Sequence, residues 1–545
     1  MKHAKRQDTH QDRTLSWACA PTAAVVLFAA FVRIRLLSMP LERDEGEFAY
    51  IGQLILQHIP PYTLAYTMKL PGTSLVYAAV MSVFGQSAAA VHIGLLLANL
   101  ASTVMLFALG RRLWNTCVGA VAAASFSLMS LSPSLYGTAA HATQFVVPFA
   151  LGGTLLLLRA RDSGRPMLPL LSGLLFGMAF LAKQHALAFV AFGLFYLVYE
   201  SVRERPVRIM ALLKRLAAFS LGAAAPFGVT CLILLKLGVF DTFRFWTFTY
   251  AREYASELPI SSAWEVFTIM APPAAATLTV FLVLSAVGLI AVLLTRQLRS
   301  GAALLISLLV FSCIAVCPGF YFRAHYFIQI LPAVSLLIGL AAYWPIHLLR
   351  RNRHRALLQA VPLLIFLAAA GCHVCGNQDV YLHSDPREAC SLVYHDNPFC
   401  ETVEVAGYIR SHSSATDRVA VLGSEPEILF YARRHSATGF IYTYGLMEPQ
   451  RFASGMQRQM IAEIEDCKPR YIVMVGVRNS WLPRPDSDTT ILSWSTAYCR
   501  ANYTLIGVVD ILPYGLTRCI WGDEADGCAP ESPKHILVFE RRPGV

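Results

Sequence analysis

Eleven apolar runs, most of them close to 20 residues long, follow one another between residues 15 and 373. About 20 apolar residues is the length at which an α-helix crosses the hydrocarbon core of a bilayer. The runs fall at 15–37, 87–110, 117–136, 142–158, 167–181, 185–200, 215–236, 270–294, 301–317, 326–347 and 356–373. They are continuous rather than alternating, which argues against a transmembrane β-barrel. With 56% hydrophobic and 14% charged residues in a chain of 545, too little polar surface remains to cover a water-soluble exterior. A soluble enzyme and a disordered chain are both excluded. Residues 167–200 form one apolar stretch interrupted by Lys183, Gln184 and His185. A single helix of that length would overshoot a bilayer, so two short spans with a polar turn are expected.

The net charge of +11 is distributed as a membrane protein distributes it. Arg111 and Arg112; Arg159, Arg161 and Arg165; Arg203, Arg205, Arg208, Lys214 and Arg215; Arg296 and Arg299; and Arg350, Arg351, Arg353 and Arg355 fall at alternate junctions between runs. The opposite junctions carry only Lys69, Lys183, Arg244, Arg252 and Arg323. By the positive-inside rule, residues 1–14 are a cytoplasmic tail and everything after about residue 373 is outside. This placement of charge argues against nucleic acid as a partner. The first run is too long for a signal peptide and lacks a clean cleavage site before Arg33 and Arg35, so it is expected to be a retained helix. The transmembrane part is 15–373, with an outer loop at 38–86.

From residue 374 to 545 the composition turns polar. Short β-branched runs at 419–422, 471–475 and 536–539 predict strands, and 453–465 has helical periodicity. Together they predict an extracytoplasmic α/β domain. Eight of the thirteen cysteines lie from Cys372 onward, where an outer compartment permits disulfides. Cys499, Cys519 and Cys528 read as a staple of the domain's tail. Cys372-x-x-Cys375 reads as a redox or metal pair.

The most informative segment is Leu-Glu-Arg-Asp-Glu-Gly-Glu-Phe-Ala-Tyr, ending at Tyr50. Asp44, Glu45 and Glu47 suit the positive end of a helix dipole. They also suit a catalytic cluster, because ionisable groups beside a membrane are costly and pair or face a cavity. Pro-Pro-Tyr at Tyr62 and Lys-Leu-Pro-Gly from Lys69 follow. Lys69 fits either interfacial snorkelling or a phosphate contact. Lys183 interrupts apolar sequence and needs a partner. Arg323 stands among aromatics, and its planar fork suits phosphate oxygens. Three cations and an acidic pair on one side describe a site for a lipid-linked phosphate with a general base.

The segments Arg-Asp-Glu-Gly-Glu-x-x-Tyr, Pro-Pro-Tyr, Lys-x-Pro-Gly and His-Tyr-Phe-x-Gln-x-x-Pro, in order between about 40 and 335, resemble the polytopic GT-C glycosyltransferases. The nearest branch is the bacterial protein-mannosyltransferase-like and aminoarabinose-transferase-like group. The outer-domain segment Val-Leu-Gly-Ser-Glu-Pro-Glu, ending at Glu427, is similar to the same branch. The resemblance implies an α-helical polytopic membrane protein of about 11 helices with an outer α/β domain. It implies transfer of a sugar from a polyprenyl-phosphate donor to a lipid, glycan or protein acceptor at the outer face of the cytoplasmic membrane. It assigns Asp44 and Glu45 as catalytic acids and Lys69 as a phosphate contact. One turn departs from the family: relatives often carry an Asn and an acid where this chain has His141 and Thr143. That turn leaves a divalent metal open, with His141 as either a replacement ligand or a hydrogen-bonded turn residue.

On this reading Asp44 is the base of an inverting transfer, and Lys69, Lys183 and Arg323 hold the donor phosphate. Glu47, Tyr50, Tyr62, His141, Gln184, His325 and Tyr326 are substrate-binding candidates. No cofactor is required by these residues, and no nucleotide-binding motif appears. Two other functions compete: a multi-pass transporter, and a membrane-anchored sensory or binding protein. A transporter would place its charges near the bilayer midplane on broken helices in repeated halves. A sensor would leave the acidic loop unexplained.

Overall fold

The computed structural model describes residues 19–349, 360–512 and 516–544, which divide into two compact units. One takes the residues up to Leu37 with His92–Thr230 and Leu258–Ser384; the other takes Ser38–Val91, Cys231–Glu257 and the residues from Asp385 onward. The tail at 1–14, the start of the first apolar run and the basic cluster from Arg350 to Arg355 lie outside the described residues.

The first unit is helical. Helices Cys19–Arg35, Ala88–Leu113, Thr116–Met129, Ala142–Ser163, Met167–Ala182, Leu187–Arg203, Ile209–Lys236, Thr279–Leu294, Ala302–Val316, Leu331–Leu349 and Val361–Gly376 stand at the eleven predicted runs. Seven helices among the described residues are long and apolar enough to cross a membrane. The other four stand at the runs 15–37, 117–136, 167–181 and 356–373. The expected break falls at Lys183, whose backbone is extended (φ −154°, ψ 130°) between two helices. Helix Ile209–Lys236 exposes Leu221, Val229, Leu232 and Ile233, an apolar surface that hydrocarbon covers and water does not.

Helix Thr116–Met129 is buried on every side from Cys117 to Met129. Its Ala, Gly and Ser residues let neighbours approach closely. A Cβ on Gly119 would come within 2.5 Å of the Phe107 carbonyl oxygen. The carbonyls freed at the end of this helix need donors. Arg33 supplies them, its guanidinium donating to Ser130 O at 2.8 Å and Gly137 O at 2.9 Å. A buried arginine inside an apolar bundle is thus satisfied by backbone.

The second unit is built on a six-stranded sheet of order β2-β1-β3-β6-β4-β5. Its strands are β1 Arg418–Leu422, β2 His435–Ser436, β3 Tyr471–Gly476, β4 Tyr503–Ile511, β5 Thr517–Trp521 and β6 His535–Arg541. β1 pairs in parallel with β2 and β3; β6 and β4 continue antiparallel, and β5 closes the edge. Parallel pairing of β1 with β3 requires a crossover, and helix Ala453–Cys467 lies within it. The three expected strands correspond to β1, β3 and β6. The expected staple among Cys499, Cys519 and Cys528 is not formed: all three are free, Cys499 buried on helix Thr490–Asn502 and Cys519 exposed on the edge strand β5. Cys372 and Cys375 are likewise free and exposed.

Candidate active site

The acidic segment of the second unit is a helix, Arg43–Leu56, because its own side chains close its first turn. The Glu42 carboxylate accepts the Glu45 N–H at 2.9 Å, and the Glu45 carboxylate accepts the Glu42 N–H at 3.1 Å. This is a capping box. Glu45, expected to be catalytic beside Asp44, is buried, and its carboxylate takes part in this cap. Gly46 lets the helix approach the outer-domain segment, since a Cβ there would meet the Glu427 backbone N at 2.6 Å.

One turn further on, Lys69 stands between two carboxylates. Its Nζ donates to Asp44 Oδ1 and Glu47 Oε2, each at 2.7 Å. Thr67 donates to the other Glu47 oxygen and accepts the Lys69 N–H at 3.1 Å. Tyr442 donates to Asp44 Oδ1 at 3.4 Å, and the Lys69 ammonium lies 4.6 Å from the Phe48 ring centre. Burial pulls the Lys69 ammonium down, but the Asp44 and Glu47 charges outweigh it and hold its pKa above the ordinary lysine value. Lys69 therefore stays charged, and Asp44 keeps about a fifth of its side-chain surface open (22%) whereas Glu47 keeps almost none (3%). Asp44 is the accessible carboxylate of the three.

Next to this triad in sequence, Arg43 is held by the segment ending at Glu427. Arg43 Nη2 pairs with Glu425 Oε1 at 2.8 Å and its Nε donates to Ser424 O at 2.6 Å. Ser480, just beyond β3, donates to the second Glu425 oxygen and accepts the Ser424 N–H at 2.9 Å. Glu425 follows the carboxyl end of β1, the position at which open α/β sheets place their sites. Here the occupant is a side chain of the same unit. Glu427, two residues on, is fully buried, and neither carboxylate oxygen has a hydrogen-bond partner among the described residues. Burial, reinforced by the Glu425 charge, pushes its pKa well up.

Several expected binding residues prove to be internal. Tyr50 is fully buried, its hydroxyl accepting the Ser436 N–H at 2.8 Å. Tyr62 is buried, donates to Lys69 O at 2.9 Å and packs edge-on against Phe243. Both hydroxyls are hydrogen-bonded to backbone.

The remaining candidates belong to the first unit, and several of them surround Tyr326. The Lys183 ammonium lies 4.5 Å from the Tyr326 ring centre, His185 meets the same ring edge-on at 4.7 Å, and His325 at 4.8 Å. His325 is stacked on His141 with ring centres 4.0 Å apart. His141 thus takes part in a ring stack at the start of helix Ala142–Ser163. Gln184 opens the short turn after Lys183, and Arg323 lies over Tyr321 at 5.6 Å.

Arg43, Thr67, Glu425, Tyr442 and Ser480 were not singled out from the sequence. The outer-domain segment carried the one available signal, since its two acids stand in an otherwise apolar strand-to-helix turn.

Comparison with known proteins bears on this arrangement. The family described as dolichyl-phosphate-mannose-protein mannosyltransferase matches residues 69–230. No curated protein matches by sequence. Among solved structures, ArnT from Cupriavidus metallidurans bound to undecaprenyl phosphate is similar with a TM-score of 0.56 and 14% identity, over 95% of this chain and 97% of that one. The archaeal oligosaccharyltransferase AglB from Archaeoglobus fulgidus, in complex with an inhibitory peptide and a dolichol-phosphate, is similar with a TM-score of 0.52 and 14% identity, over 93% and 74%. A mycobacterial arabinofuranosyltransferase AftD variant gives 0.52 and 13%, over 96% of this chain and 41% of that one. At these identities the structures share the fold. The family match covers residues 69–230, and the fold shared with these structures extends over nearly the whole chain.

Proposed function

We propose that the chain moves a sugar from a polyprenyl-phosphate carrier to a lipid, glycan or protein acceptor at the outer face of the cytoplasmic membrane, with inversion at the anomeric carbon. Asp44 takes the proton of the acceptor hydroxyl as its oxygen attacks the anomeric carbon, and the bond to the phosphate oxygen breaks with its electron pair. The observation that carries this reading is the Asp44–Lys69–Glu47 triad, which holds an accessible carboxylate and a permanent cation in contact. The carriers named with the similar structures, undecaprenyl phosphate and dolichol-phosphate, support a polyprenyl-phosphate donor.

Lys69 has two claims on it. In the ligand-free chain its ammonium is taken up by Asp44 and Glu47. An arriving phosphate competes for that ammonium, and each N–H it draws away from Asp44 leaves that carboxylate more basic. Lys183 and Arg323, in the first unit, are cations of the kind that donate charge-assisted hydrogen bonds to phosphate oxygens. Replacement of Lys69 by Ala is expected to weaken donor binding and lower kcat together, by roughly 10–100-fold in kcat/KM, because a hydrogen bond to a charged group is lost in the ground state and the transition state. Steady-state kinetics with a polyprenyl-phosphate sugar reads this directly. An unchanged kcat/KM would remove Lys69 from the site.

A further inference from the structure

Three helices of the first unit, Ala88–Leu113, Ala142–Ser163 and Met167–Ala182, enclose a cavity of about 590 Å³. Its lining is of two kinds. Arg111, Arg112 and Arg159 form a basic rim, and Met105, Leu156 and Leu175 belong to an apolar floor. Arg111 and Arg112 stand in the last turn of helix Ala88–Leu113, and Met105 stands about 9 Å further back along it at 1.5 Å per residue. Gly152 keeps the floor open, because a Cβ there would come within 3.0 Å of Leu175 Cδ1. All three arginines are exposed. Asp162 pairs with Arg112 and is shared with Arg161 at 3.1 Å, so it does not balance the three charges of the rim. Arginines at helix carboxyl ends suit the helix dipole, and at these junctions they follow the positive-inside rule. Neither accounts for an apolar cavity running back from them between the helices.

We propose that this cavity binds an anionic diacyl phospholipid, with the arginines on its phosphodiester and one acyl chain on the apolar floor. Guanidinium forks match phosphate oxygens, and basic pockets between transmembrane helices take anionic headgroups. A free phosphate would leave the floor unfilled. A zwitterionic lipid would bring a further cation to a rim that already carries a surplus of them. The positive-inside rule assigns these arginines to the cytoplasmic leaflet, where anionic lipids are found. The proposal stands on the helical unit and its charges and not on the transferase reading, so either can fail alone.

The test uses the full chain purified in detergent, washed free of lipid and titrated under native mass spectrometry with phosphatidylglycerol or with phosphatidylcholine of the same acyl chains. Phosphatidylglycerol is expected to bind at least about 10-fold more tightly. An Arg111→Gln, Arg159→Gln chain should lose that preference. An Arg161→Gln, Arg165→Gln chain loses the same charge near the same helix end but outside the lining, and should keep it. A second measurement needs no variant. The parent chain is placed in vesicles containing phosphatidylglycerol with a diazirine on one acyl chain, irradiated, digested and mapped. Adducts should appear on the peptides carrying Met105 and Leu156, and unlabelled phosphatidylglycerol should compete them away where phosphatidylcholine does not. Equal binding of the two lipids, an equal loss in both double variants, or no competed adduct on either peptide overturns the proposal. Should the variants fail to fold, the adduct map of the parent chain decides.

Discussion

Asp44→Asn is expected to lower sugar transfer by about 10²–10⁴-fold, the contribution of a positioned general base. The substitution is nearly isosteric and removes one negative charge and the proton acceptor. Lys69 keeps its second partner, Glu47 at 2.7 Å, so the loop retains its anchor, and folding and carrier binding should largely survive. The comparison is the rate of the purified variant against the parent at saturating donor, with carrier affinity measured separately. A variant within threefold of the parent would exclude Asp44 as the base. Loss of carrier binding alone would make it a binding residue.

The second large effect is structural. Glu425→Ala should destabilise the second unit by about 3–5 kcal/mol, because Arg43 is left as a buried charge without its carboxylate. Arg43 and Glu425 expose 9% and 0% of their side chains, so solvent cannot substitute for the missing partner. In thermal unfolding the midpoint should fall by about 10 °C. Transfer should fall as well, since Arg43 begins the helix on which Asp44 and Glu47 stand. Glu425→Gln keeps the shape and a hydrogen-bond acceptor and should lose less on both counts. A midpoint unchanged in Glu425→Ala would show that the pair contributes nothing to holding the helix.

The helices were legible because hydrocarbon imposes one length and one composition on every span. Lys183 marked a helix break for the same reason: a cation in apolar sequence ends a span more readily than it sits inside one. β1, β3 and β6 were legible as β-branched runs. β4 was not, because Gly507 and Asp510 break its apolar pattern and a bulge shifts its register at Leu505/Gly507. Asp44, Lys69 and Glu47 were recognised as a cluster, but the pairing of Lys69 with both carboxylates was not. The sequence shows their types, whereas the contact depends on the return of the loop 57–71. Arg43 with Glu425 lay furthest out of reach, since 382 positions separate them. Glu45 shows a contact within reach of the sequence: its capping partner Glu42 stands three positions away.

The most direct test of the central claim is a donor panel. Purified chain, a set of polyprenyl-phosphate sugars and an extract of envelope lipids, glycans and proteins are incubated together, and free polyprenyl phosphate and glycosylated product are followed by mass spectrometry, with Asp44→Asn in parallel. The account predicts that at least one donor releases its polyprenyl phosphate in step with a product carrying the sugar in inverted configuration, and that the variant forms neither. Turnover that proceeds equally in the Asp44→Asn chain, or a product that retains the donor's anomeric configuration, would contradict it.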